Sequence, residues 1–136
     1  MNPSQALFHV FEDGPTMVAP YSHAVEVDGW IFVTGQMPIN ADGGIPEGIE
    51  AQTITVFENL KAVLGRLDSD LREVVSARVF LTDFQAHYER MNAIYLTFFK
   101  QGRFPARTCV GVTGLARGCL VEIDFIARRG SAGTGP

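Results

Sequence analysis

The chain holds 136 residues, 46% of them hydrophobic and ten of them Phe, which is the length of one domain with enough apolar side chain for a single core. Fifteen acidic against eleven basic residues give a net charge of -4 and a pI near 5.3. That balance disfavours electrostatic binding to nucleic acid or to an anionic membrane and leaves small molecules and proteins as the partners to expect.

The two cysteines, Cys109 and Cys119, make no disulfide framework and fit a reducing, cytoplasmic setting. The first residues have neither the basic nor the apolar stretch of a secretory leader, and no apolar run approaches the ~20 residues of a membrane helix.

In chain order, Ala6 to Phe11 reads as a short strand broken by the turn residues Glu12-Asp13-Gly14-Pro15. Ala24 to Gly35 is two β-rich runs around Asp28-Gly29, a hairpin. Trp30-Ile31-Phe32-Val33 is apolar on both alternating faces, so this strand needs a cover on both sides. Residues 40–48 form a Gly/Asp/Pro loop. Beyond it Ile49, Thr53, Val56, Phe57, Leu60, Val63, Leu64 and Leu67 recur with the spacing of an amphipathic helix.

Residues 67–70 end that helix, and Val74 to Leu81 has the β-branched content of a strand. Asp83 is the expected N-cap of a second helix along Phe84, Tyr88, Met91, Tyr95, Phe98 and Phe99, stopped by Gly102 and Pro105. Arg107 to Val112 and Leu120 to Ala127 read as two last strands. Residues 130–136 are small and read as a flexible tail, which leaves 1–129 as the domain. Two helices cover only one face of such a sheet; the apolar residues on the other face imply a homo-oligomer.

The chain has no dinucleotide fingerprint, phosphate loop, zinc-protease or nucleophile-elbow motif, and its three histidines share no ligand spacing. No cofactor and no metal is expected. The last two strands are the place to look for chemistry. Alternation puts Arg107 and Cys109 on one side of their strand, and Glu122 and Asp124 on one side of the next. Folded back near Leu115 and Ala116 as an antiparallel pair, they would set Cys109 opposite Glu122 and Arg107 opposite Asp124. A guanidinium fork there suits a substrate carboxylate, and a nearby carboxylate suits the activation of water. The competing reading is a solvated cross-strand salt bridge with Cys109 as a small buried hydrophobe.

The pieces APYSHAV (19–25), FVTGQMPI (32–39), ENLKAVL (58–64), VFLTDF (79–84), MNAIYLTFF (91–99), FPARTCVGV (104–112) and LVEIDFIA (120–127) together strongly resemble the RidA family of reactive-intermediate deaminases, also called YjgF. The resemblance spans roughly residues 10–129. It implies an α+β, chorismate-mutase-like single domain: a mixed sheet with two helices on one face, assembling as a trimeric barrel with sites in clefts between subunits.

It further implies a hydrolase that converts 2-enamine and 2-imine carboxylates, such as 2-aminoacrylate, to 2-keto acids and ammonia without a cofactor. Arg107 would clamp the substrate carboxylate and Glu122 would activate water. Tyr21 would form an aromatic wall, Gly35 would admit close backbone approach, Asn92 would reach in from the second helix, and Cys109 would offer its backbone. Alternatives are a deaminase of a larger enamine such as 2-aminomuconate, or a non-catalytic sensor of carboxylate metabolites. His23 stands where the family usually has Gln, and Leu115-Ala116-Arg117 replaces a Leu-Pro step. Both departures bear on the expected cleft shape.

Overall fold

The computed structural model describes residues 5–133. Asp28 and Gly29 form the turn their side chains favour, both with positive φ (53° and 82°), and this twist suits a two-residue hairpin. The turn joins β2 (Ala24–Val27) to β3 (Trp30–Gln36), with Val25 across from Phe32. β1 (Leu7–His9) pairs with the outer edge of β2 and is shorter than the expected Ala6 to Phe11. Its continuation is diverted because the Phe11 N–H donates to the His23 ring and not to a strand.

The two long helices follow the apolar stripes. α1 (Ile49–Arg66) buries Ile49, Thr53, Val56, Phe57, Leu60, Val63 and Leu64, and the Thr53 hydroxyl is satisfied inside the core by donating to the Ile49 carbonyl (2.7 Å). A short 3-10 turn leads into β4 (Val74–Thr82). α2 (Phe84–Tyr95) is followed by another 3-10 turn over Leu96–Phe98. Asp83 does precede α2, but it sits in the left-handed region (φ 49°) and its side chain caps nothing. Only its carbonyl enters the helix, accepting from Ala86 and His87.

β5 (Ala106–Val112) and β6 (Val121–Arg128) complete the chain's strands. Of the segment read as a tail, Gly130 and Ser131 hydrogen-bond to Glu73, and residues 134–136 lie outside the described residues.

The six strands form one sheet in the order β1-β2-β3-β6-β4-β5. β6 lies between β3 and β4, antiparallel to both, whereas β5 pairs in parallel with β4 alone. The antiparallel β5–β6 pair expected from the sequence is therefore not formed. Burial explains the order. Val121, Ile123, Phe125 and Ala127 of β6 are each at most 1% exposed, the mark of a central strand, while β5 exposes Thr108, Val110 and Gly111 at an edge. Each parallel crossing, β3 to β4 and β4 to β5, carries one helix, and both helices lie on the same face.

Between helices and sheet the core centres on Phe57, stacked on Phe98 at 4.2 Å and edge-on to Tyr95 and Phe99 at 5.6 and 5.8 Å. Among the described residues the opposite face has no helix. There Phe32, Trp30, Val110 and Phe8 are 45%, 41%, 41% and 71% exposed, alongside Arg78, Glu122 and Asp124. Among the described residues no helix is long and apolar enough to cross a membrane.

Candidate active site

Parallel pairing sets Arg107 across from Ala77 and Cys109 across from Val79, so both side chains rise on the helix side of the sheet. There α2 receives the guanidinium. Tyr88, Asn92 and Tyr95 follow one another at helical spacing on the face that meets β5. The Asn92 side-chain oxygen accepts from Arg107 Nη1 at 2.7 Å, and the Tyr88 hydroxyl accepts a longer bond from Nη2 at 3.4 Å. The Tyr95 ring lies 4.8 Å from the guanidinium carbon as a cation–π floor. A cleft of about 250 Å³ opens here, bounded by Asn92, Tyr95, Leu96, Phe104, Pro105 and Arg107.

Arg107 has no carboxylate partner among the described residues. Cys109 lies next to it, half-buried, and burial pushes its thiol up against the opposing pull of Arg107, which suits packing and not nucleophilic attack. Burial also pushes the Tyr95 phenol up to about 12, and its hydroxyl has no hydrogen-bond partner among the described residues.

Glu122 lies across from Phe80 on β4, on the opposite, helix-free face. Asp124 on the same face is taken by Arg78, whose Nε and Nη2 hold both carboxylate oxygens at 2.6 to 3.1 Å. Arg78, not Arg107, is thus the partner of Asp124, which corrects the pairing expected from the sequence.

The Glu122 carboxyl makes no hydrogen bond among the described residues. Burial first, and the charge of Asp124 second, hold its carboxyl above the ordinary range. Gly35 lies directly beneath it at a bulge between Val33 and Gln36. A Cβ on Gly35 would collide with the Glu122 carboxylate, with its carboxyl carbon only 3.1 Å away, so Gly35 makes room for that group. Tyr21 reaches the same end of β3, because the Ser22 and His23 carbonyls accept from the Thr34 hydroxyl and N–H; its own hydroxyl accepts from the Val18 N–H.

The expected residues therefore fall into two groups. Arg107, Asn92 and Cys109 gather on the helix side, Glu122 and Gly35 meet on the open face, and Tyr21 lies near the end of β3 that carries Gly35. The sheet separates them within one chain. In the sequence Tyr88 and Tyr95 are only members of the α2 apolar stripe; the interval that aligns them with Asn92 is the signal that ties them to Arg107. Among the described residues no three His, Cys, Asp or Glu side chains converge as a metal requires.

His23 turns away from both groups. It is 1% exposed and stacked on Phe11, its Nδ1 accepting from the Phe11 N–H and its Nε2 donating to the Pro15 carbonyl at 2.7 Å. It anchors the N-terminal segment and does not line the cleft beside Arg107.

Residues 11–129 match the family model described as endoribonuclease L-PSP. The chain belongs to this family, the YjgF/RidA/RutC proteins. A RutC family protein of Pyrococcus abyssi is 37% identical over 85% of this chain and 91% of its own. Among solved structures of the YjgF/RidA/RutC type, RidA from an Antarctic Psychrobacter matches with a TM-score of 0.83 at 31% identity, over 90% of this chain and 98% of that one. Escherichia coli TdcF with bound serine matches with a TM-score of 0.82 at 28% identity, over the same shares of the two chains. The two helices on a six-stranded mixed sheet are thus the architecture of YjgF/RidA/RutC relatives.

Proposed function

We propose that this protein hydrolyses short 2-enamine and 2-imine carboxylates, 2-aminoacrylate among them, to 2-keto acids and ammonia, in clefts between the subunits of a homotrimer. The observation that carries the reading is Arg107: half-buried, held by Asn92 and Tyr88, stacked on Tyr95, and without a carboxylate partner among the described residues. A fixed guanidinium whose neighbours are all neutral is a receptor for a planar anion. That a structural relative was solved with serine, a small amino carboxylic acid, supports this ligand class. The RidA resemblance supports the reaction.

Once the carboxylate is held on Arg107, the enamine tautomerises to the imine and water adds to the imine carbon. The resulting carbinolamine expels ammonia and leaves the keto group, so water and imine are consumed and keto acid and ammonia are formed. Glu122 is the group to take the proton from water and return it to the departing nitrogen, a role favoured by a carboxyl held above its ordinary range. Since Arg107 and Glu122 lie on opposite faces of one sheet, a complete site requires Glu122 from a second copy. The exposed apolar face around Phe32 and Trp30 is the surface for that contact.

RNA cleavage is the weaker reading despite the family's description. The chain carries a net charge of -4, and Arg66, Arg72, Arg78, Arg90 and Arg129 are each paired with a carboxylate.

The test is to generate 2-aminoacrylate with a dehydratase acting on serine and to follow the enamine absorbance. Wild type should hasten its decay, and Arg107→Ala should remove the acceleration with the fold intact. An Arg107→Ala protein as fast as wild type would dispose of the clamp. Pyruvate binding without any acceleration by wild type would favour a carboxylate sensor.

A further inference from the structure

We infer that the Tyr88 hydroxyl is part of the anion site, donating a hydrogen bond of its own to the carboxylate that Arg107 holds. The inference rests on Arg107 being the carboxylate clamp and specifies how that clamp is completed.

A guanidinium has five N–H groups. Two on Arg107 are engaged, one Nη1–H by Asn92 and one Nη2–H by Tyr88, which leaves Nε–H and one N–H on each Nη without an acceptor among the described residues. Other arginines in the chain indicate which edge a carboxylate takes. Arg72, Arg78, Arg90 and Arg129 each bind their acidic partners through Nε and Nη2. On Arg107 the equivalent edge is free at Nε, and Tyr88 stands beside Nη2.

The Tyr88 oxygen accepts from that Nη2 at 3.4 Å and its own proton has no acceptor among the described residues. Nε and Nη2 carry parallel N–H bonds on one edge, so an anionic oxygen taken by the free Nε–H comes within hydrogen-bond reach of a phenol oxygen seated on the Nη2–H of that edge. A phenol that accepts from a cation is also a better donor, because the two bonds polarise one another. The ring is held in place for this: it stacks on Phe84 at 4.6 Å, and Phe84 in turn packs against the backbone at Gly111. The donor is therefore largely preorganised. A neutral ester or amide in the same place would meet Arg107 and Tyr88 with a weaker acceptor, so Tyr88 adds selectivity for the acid form.

Tyr88→Phe keeps the ring and its stack and removes only the hydroxyl. Titration calorimetry with pyruvate should give a dissociation constant about tenfold higher in Tyr88→Phe than in wild type, with methyl pyruvate little affected. Infrared spectra of bound pyruvate labelled with carbon-13 at the carboxylate should show its stretching band displaced in the variant. Weaker binding with an unmoved band would mean that Tyr88 only props up Arg107, and would overturn the inference. So would unchanged affinity, while leaving the clamp itself standing. If wild type and variant both fail to bind pyruvate, the carboxylate reading of Arg107 fails and takes this inference with it.

Discussion

The two faces of the sheet use the same strands for different work. On the helix side Val121, Ile123, Phe125 and Ala127 of β6 are closed into the core beneath α1 and α2. On the other side Glu122 and Asp124 of the same strand stand with exposed Phe32 and Trp30. Charge is divided in the same way. Glu26, Glu50 and Asp124 are each neutralised within the chain, by Arg129, Arg90 and Arg78, while Arg107 and Glu122, on opposite sides, have no ion-pair partner among the described residues. Had they faced each other they would have formed one more salt bridge. Separation by the sheet keeps the two from neutralising each other, as the proposed shared site requires.

The sharpest way to break this comparison is to put the two defects in different subunits. Alone, Glu122→Gln should lower the rate of 2-aminoacrylate hydrolysis by roughly 10²–10⁴-fold, the usual loss of a general base. Arg107→Ala should lower kcat/KM by about 10²–10³-fold, the cost of truncating a hydrogen-bonded charge partner. Unfolded, mixed in equal parts and refolded together, the two inactive proteins should regain roughly a quarter of wild-type activity, because a cyclic assembly then has about that fraction of interfaces with both groups intact. No recovery would mean that each site is built within one chain.

Next in size are two aromatic residues that contrast folding with assembly. Phe57 is fully buried and touches Tyr95, Phe98, Phe99 and Phe125, so Phe57→Ala should cost about 3–5 kcal/mol in denaturant unfolding. Phe32 is 45% exposed on the open face, and Phe32→Asp should leave the far-ultraviolet circular dichroism unchanged while sedimentation shows a smaller species. A variant that sediments like wild type would place the interface elsewhere.

Local features were legible in the sequence, and distant pairings were not. The Asp28-Gly29 hairpin and the α1 stripe are written within a few residues of each other, so periodicity and turn chemistry found them. Alternation likewise assigned Arg107 with Cys109 and Glu122 with Asp124 to common faces. What failed was the assumption that consecutive strands are neighbours, which holds only about two times in three. The slot for β6 lies between β3 and β4, and the clue was quantitative: β6 is apolar enough for a central strand, and β5 carries Arg107, Thr108 and Gly111 like an edge. Once β5 lies beside α2, Tyr88 and Tyr95 change from stripe residues into the support of Arg107. That change depends on a contact between distant segments, and helical spacing alone could not supply it.

The smallest effect expected is also the one that reports on Glu122 directly. Burial and the Asp124 charge hold its carboxyl above the ordinary range in the single chain, so the folded state takes up a proton more readily than the unfolded state. Stability from this group is therefore complete below the ordinary carboxylate value and falls as pH rises through the raised one. In the dissociated Phe32→Asp background, adding Glu122→Gln should raise the melting temperature at pH 7, and the gain should vanish below about pH 4. In the assembled protein the same substitution reads the interface. If a second copy supplies Glu122 with a hydrogen-bond donor, the gain at pH 7 shrinks or reverses; if it is unchanged, the carboxylate faces no donor there and its placement in a shared cleft is wrong.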